Sequence, residues 1–168
     1  YRWGIATLLE TVGDVASRLG EHAQAVRYLE QSLALLEEEG DRRSQAYTLN
    51  SLGTVAQAMG KGQEARQYFR RALGVAMEIR EPALALDILM SLAKLVAEDG
   101  DVARALELFA FVLHHPACEQ QTRDQGESLR AELAHRIPTD ALDAAEARGR
   151  ALELDELAAQ VLNQTGTG

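Results

Sequence analysis

The stretch LNSLGTVAQAMGKGQEARQYF, Leu49 to Phe69, decides the fold because it occurs three times. Forty residues earlier, Leu9, Val12, Gly13, Gly20, Ala25 and Leu29 stand where this stretch has Leu49, Leu52, Gly53, Gly60, Ala65 and Phe69. Forty residues later the same columns hold Leu89, Leu92, Ala93, Gly100, Ala105 and Phe109. Separated columns that agree in three copies define an internal repeat, and a period in this range means stacked units rather than one irregular core.

Each unit reads as two helices. Leu9, Val12, Val15, Ala16 and Leu19 fall at helical spacing. Gly20 ends that helix by taking a left-handed backbone at little cost. Ala25, Leu29, Ser32, Leu33 and Leu36 then form one face of a second helix. Pro82 is placed for a first helical turn and Asp101 for an N-cap. The small columns, Gly13 and Gly53 on the first helix and Ala25, Ala65 and Ala105 on the second, let paired helices approach closely. A large residue there would overpack by about 1–3 kcal/mol. Leu29, Phe69 and Phe109 are expected to fill the space between one pair and the next. One pair cannot bury its apolar surface alone, so stacking is obligatory.

The columns resemble the tetratricopeptide repeat, whose pattern runs from a large residue through Leu-Gly and an aromatic to a later Ala with an aromatic four residues on. LNSLGTVA with ARQYF matches it, LETVGDVA with AVRYL nearly as well, and LMSLAKLV with ALELF least, since Ala93 replaces the glycine. The resemblance covers about residues 5 to 115 and implies an all-α, TPR-like α-α superhelix of three helix pairs. Repeats are expected at about 1–40, 41–80 and 81–116. The family's usual period is about 34; the extra residues fall between Leu29 and Leu49, so the second helices should be about a turn and a half longer. Long units of this kind look like those of kinesin light chains and of large bacterial signalling regulators.

Past Pro116 the period fails. CEQQTRDQGESLRAELAHR reads as one amphipathic helix with Leu129, Leu133 and Ile137 inward. PTDALDAAEARGR reads as a second, capped by Thr139 or Asp140 and ending at Gly149, and ELDELAAQVLN as a last short one. Residues 117–164 are thus expected to cap the array and 165–168 to fray. This string resembles the C-terminal tail of bacterial multidomain regulators, which carry a nucleotide-binding ATPase domain upstream of such repeats. The chain opens on Tyr1-Arg2-Trp3-Gly4 without an initiator Met, as a piece of a longer protein would.

Composition narrows the function. Hydrophobic residues make up 46% of 168, which excludes a disordered chain. The formal net charge of −9 argues against a grip on nucleic acid, which needs a basic stripe. No apolar run could span a bilayer and no signal peptide is visible. The lone Cys118 forms no intrachain disulfide, which fits a reducing, cytoplasmic setting.

No constellation recommends an enzyme, a metal or a cofactor. Adjacent His114 and His115 would point about 100° apart on a helix, so their expected role, with Cys118, is at a surface or helix end. GKGQEAR lacks the spacing of a phosphate loop and coincides with a repeat turn. Glu37, Glu38 and Glu39 at one helix end face Arg42 and Arg43 at the next helix start, and the two misfits are expected to offset across that turn.

Positions carried over from the family place a concave groove on the first helices. Glu10 and Asp14 come from the first unit, Tyr47, Asn50 and Thr54 from the second, and Asp87, Met90 and Lys94 from the third. Asn50 can serve a peptide backbone as both donor and acceptor. Asp87 and Ser91 stand where a carboxylate-clamping member would need Lys and Arg. The expected function is a protein-protein interaction scaffold, the sensory or regulatory C-terminal module of a larger bacterial regulator. The alternative is a peptide- or small-ligand sensor using the same groove. The partner is a protein or peptide, and the apolar edge that includes Leu8, Val12 and Val15 is expected to form a homodimer through the N-terminal helix pair.

Overall fold

In the computed structural model, which describes residues 1–164, the chain divides at Arg80/Glu81 into two compact units. The expected fraying of 165–168 lies outside the described residues. Among the described residues there are nine α-helices and no strand.

The first unit holds α1 (Arg2–Arg18), α2 (His22–Glu39), α3 (Arg42–Ala58) and α4 (Gly62–Glu78). α1 packs on α2 and α3 on α4, while α3 also covers α2. The small columns act as expected: a Cβ at Gly13 would come within 2.8 Å of Leu29 Cγ, and one at Gly53 within 2.6 Å of Phe69 Cδ1. This corrects the expected place of the large column. Leu29 and Phe69 fill the hollow over the glycine of their own pair, because a residue with no Cβ leaves room for a ring or isobutyl group opposite. Ser32, buried in α2, satisfies itself by donating to the Ala6 carbonyl at 2.8 Å. Between pairs, Gln45 of α3 donates to the Leu36 carbonyl at 2.9 Å, a second bond to an oxygen that already accepts from the Asp41 amide at 3.1 Å. The second helices run to 18 and 17 residues, in line with the long period.

The charged corner resolves differently from the local offset expected of it. Glu38 pairs with Arg2 at 2.8 Å, and Glu78 pairs with Arg42, the same two columns one repeat on. An antiparallel pair sets the start of its first helix beside the end of its second. Each charge is therefore misplaced on its own helix and well placed against its neighbour's end.

The turns use left-handed backbone where helix hands over to turn or helix: Gly20, Gly60 and Gly100 have φ of 81°, 73° and 95°. At the end of α4 the left-handed residue is Arg80, with φ 55°. A side chain there opposes the conformation by roughly 1–2 kcal/mol, partly offset by the greater freedom of glycine in the unfolded chain. Arg80→Gly is expected to stabilise the chain by about 1 kcal/mol, read as a higher urea midpoint with an unchanged slope.

The second unit holds α5 (Pro82–Glu98), α6 (Val102–His114), α7 (Gln120–Ala134), α8 (Thr139–Arg150) and α9 (Leu154–Asn163). Pro82 opens α5 and Asp101 caps α6 by accepting from the Arg104 amide at 3.1 Å. α6 stops early, at the extended His115 before Pro116. Its open carbonyl at Leu113 is met by the Arg123 guanidinium of α7 at 2.6 Å. Of the expected inward side of α7, Leu133 is buried and Leu129 half-buried; Ile137, also half-buried, follows the helix. α8 begins at Thr139 after Pro138, with no side-chain cap from Thr139 or Asp140. Gly149 does not end α8. It lies inside the helix, where its missing Cβ lets the backbone meet the Glu107 carbonyl and Ala110 of α6. Glu107, buried beside this contact, receives Arg148 of α8 at 3.1 Å and pairs with Arg104.

Candidate functional site

The face expected to form a groove takes a different form in each unit. In the first, α1 and α3 lie side by side and their polar faces meet. Trp3 Nε1 donates to Asp41 at 3.2 Å, and Thr48 Oγ1 donates to Glu10 at 3.4 Å. Asp14 accepts from Ser51. Five of the sequence-predicted residues, Glu10, Asp14, Tyr47, Asn50 and Thr54, are thus carried by one pair of adjacent helices.

Electrostatically this face is acidic. Burial raises the Glu10 carboxyl above its usual value, the charge of Asp14 adds to the rise, and the Thr48 bond opposes it. Partial burial also raises Asp14, against the Ser51 bond and Arg18. At Asp41 burial pushes upward as well, but bonds from Ser44 and Trp3 outweigh it and hold the group low. Two neighbouring carboxylates whose ionisation is disfavoured favour a cation or an N–H donor placed between them.

Tyr47 stands at the rim with the Arg43 guanidinium 5.5 Å from its ring centroid. Thr54 donates back to the Asn50 carbonyl at 3.1 Å, so its hydroxyl serves its own helix. Asn50 is half-buried, and its Oδ1 has no hydrogen-bond partner. A buried acceptor left open carries a cost, and its broad χ2 lets Asn50 turn that oxygen toward a ligand.

In the second unit the same face is covered by the chain itself. Thr122 of α7 donates to the Asp87 carboxylate, and Gly126 of α7 sits against Met90, which is only 2% exposed. Lys94 is half-buried; burial lowers its pKa, while Asp87 and Glu98 oppose the shift. Burial raises Asp87, with Glu119 adding and Thr122 and Lys94 opposing. Met90 therefore presents no surface to a partner, and Asp87 is already engaged. The signal for this in the sequence is slight: Thr122 and Gly126, small residues four apart on the amphipathic tail helix.

A cavity of about 640 Å³ opens in the second unit beside the end of α6, with Arg123, Arg130, Glu146 and Arg150 in its walls. Its charges serve the fold: Arg123 caps α6, while Arg130 and Arg150 share Glu146. The His114 ring bonds the Ala110 carbonyl at 2.9 Å, and His115 Nδ1 accepts from the Ala117 amide at 3.1 Å. Cys118 is a free thiol whose pKa burial raises, against Arg123. Among the described residues no three His, Cys, Asp or Glu side chains are grouped to hold a metal ion, and no helix is long and apolar enough to cross a membrane.

Antiparallel helix pairs built on a recurring small-and-large seam, with a polar first-helix face, define a helical-repeat protein of the kind that binds other proteins. The tetratricopeptide repeat profile matches residues 4–78 and, overlapping, 44–113. The chain belongs to the tetratricopeptide repeat family, whose members generally mediate protein-protein interaction and are generally non-catalytic. The crystal structure of BtubC (BKLC) from P. vanneervenii is similar in fold, with a TM-score of 0.65 at 15% identity. That similarity covers 97% of this chain, which spans 66% of the BtubC chain. No curated protein matches the sequence.

Proposed function

We propose that the α1–α3 face of the first unit is a protein-recognition surface that takes an extended peptide rich in N–H donors or basic side chains. The observation that carries this is the open Oδ1 of Asn50. The raised carboxylates Glu10 and Asp14 on the same face add to it. A peptide backbone supplies the donor that Asn50 lacks, and a basic residue relieves the crowded acids.

The module belongs, in this reading, to the C-terminal regulatory part of a larger cytoplasmic bacterial regulator involved in signal transduction. The resemblance of the tail after Pro116 to such proteins supports it, and an encoded nucleotide-binding motif upstream of Tyr1 is the expected finding. The module also pairs with a second copy of itself through the N-terminal helix pair.

The groove is tested with a peptide selected against the chain by display, its affinity measured by calorimetry. Asn50→Ala is expected to weaken binding by about 1 kcal/mol, roughly fivefold, with an unchanged helix signal. Glu38→Lys, on the outer corner, should leave it unaffected. Binding indifferent to Asn50 and lost with Glu38→Lys would move the site to that corner.

A further inference from the structure

At the cavity beside the end of α6 the acidic chain turns basic. The chain as a whole carries a formal net charge of −9. In the cavity wall three arginines, Arg123, Arg130 and Arg150, stand against two carboxylates, Glu127 and Glu146. Ala110, Leu113 and Pro116 add apolar surface. A volume of about 640 Å³ suits a small molecule, and pockets for small molecules combine an apolar lining with a few polar groups that fix orientation.

The fold uses only part of what these side chains offer. A guanidinium has five N–H donors. Arg130 aims Nε and one Nη at the same oxygen, Oε1 of Glu146, which leaves its second Nη over. Arg150 approaches the other oxygen, Oε2, only to 3.6 Å. That is an ion pair too long for a hydrogen bond, made by a side chain that is 55% exposed. Arg123 is different: it donates to the Leu113 and Cys118 carbonyls and so offsets the negative end of α6, which would otherwise repel an anion. His115 contributes a further donor. Its Nδ1 accepts from the Ala117 amide, so the neutral ring carries its proton on Nε2. Glu146, meanwhile, already has two cations. The wall therefore has donors in excess of acceptors, which calls for an acceptor from outside.

We propose that this cavity binds a small carboxylic acid with a short apolar body. Arg150 and the spare Nη of Arg130 hold the carboxylate, and Leu113 and Pro116 receive the body. Both arginines already reach one carboxylate, Glu146, so they are close enough together to reach a second. Paired guanidinium donors match the two oxygens of such a group. Arg150 commits least to the fold and carries the recognition. Glu127, exposed in the same wall, opposes the anion and keeps the affinity low. The site lies within the second unit and stands apart from the peptide face on α1 and α3.

The test titrates the 168-residue chain with isocaproate and follows the methyl resonances of Ala110 and Leu113 by NMR. Saturable shifts are expected with a Kd on the order of 1 mM, as a ligand of about eight heavy atoms gives. Arg150→Gln should weaken binding about fivefold or more, with the amide spectrum otherwise preserved. Glu127→Gln, which removes an exposed like charge, should tighten it by about twofold. Isohexanol, which has the same body without the charge, should bind at least about tenfold more weakly. No saturable shift at tens of millimolar would overturn the site. Equal binding of acid and alcohol would overturn anion recognition. Saturation by inorganic phosphate but not by isocaproate would overturn the ligand class. If Arg150→Gln disturbed the fold, Glu127→Gln would decide: an affinity unchanged or lowered by that variant would overturn the proposal.

Discussion

Ala65→Trp is expected to destabilise the first unit by about 3 kcal/mol or more, and Gln63→Trp by less than about 0.5 kcal/mol. Ala65 is fully buried where α4 approaches α3, in the column that holds Ala25 and Ala105, also fully buried. The helices are close there because Gly53 receives the Phe69 ring, so an indole has no room without parting the pair. Gln63, two residues away, is exposed on the same helix. Thermal unfolding followed by circular dichroism should show a midpoint lower by roughly 6–12 °C for the first variant. Equal midpoints would place the pair interface elsewhere.

Gly149→Ala is the second large effect, and a single methyl group is enough. Its Cβ would press on the Glu107 backbone carbonyl and come within 2.8 Å of Ala110 Cβ. A backbone atom cannot swing aside as a side-chain tip can, so α8 must move off α6. That also loosens the Arg148–Glu107 pair, leaving a mostly buried carboxylate with one cation fewer. The expected cost is about 2–3 kcal/mol. Hydrogen exchange should report it as lost protection of amides in α8, with α1 to α4 unaffected. Gly4→Ala is the control: nothing lies within 4 Å of its Cβ, and on an exposed helix the change should stabilise by about 0.5–1 kcal/mol. If Gly149→Ala behaved like Gly4→Ala, the close approach of α8 to α6 would be refuted.

The helix pairs, their turns and their close approach were legible in the sequence because each depends on columns that recur every 40 residues. A glycine opposite a large residue has one geometric meaning wherever the unit is copied. Glu10, Asp14, Tyr47, Asn50 and Thr54, carried over from the family's positions, lie on the adjacent helices α1 and α3. The corner charges misled a local reading. Glu38 and Arg42 are neighbours in sequence, but their partners, Arg2 and Glu78, come from the opposite ends of their own helix pairs.

Where the period stops, so does what the sequence by itself determined. It marks the segments after Pro116 as helical and gives α7 its inner side, but it does not say which surface each helix covers. Only the tertiary structure decided that α7 lies on α5, engaging Asp87 through Thr122 and burying Met90 under Gly126. Only it decided that Gly149, which reads as a helix stop, is a contact point. The physical reason is the same in both. A repeat contact is written in every copy of the unit, whereas the docking of a unique helix rests on a few small residues and buried charges brought from distant parts of the chain. Their meaning appears only once Glu107, Ala110 and Gly149 are within contact of one another.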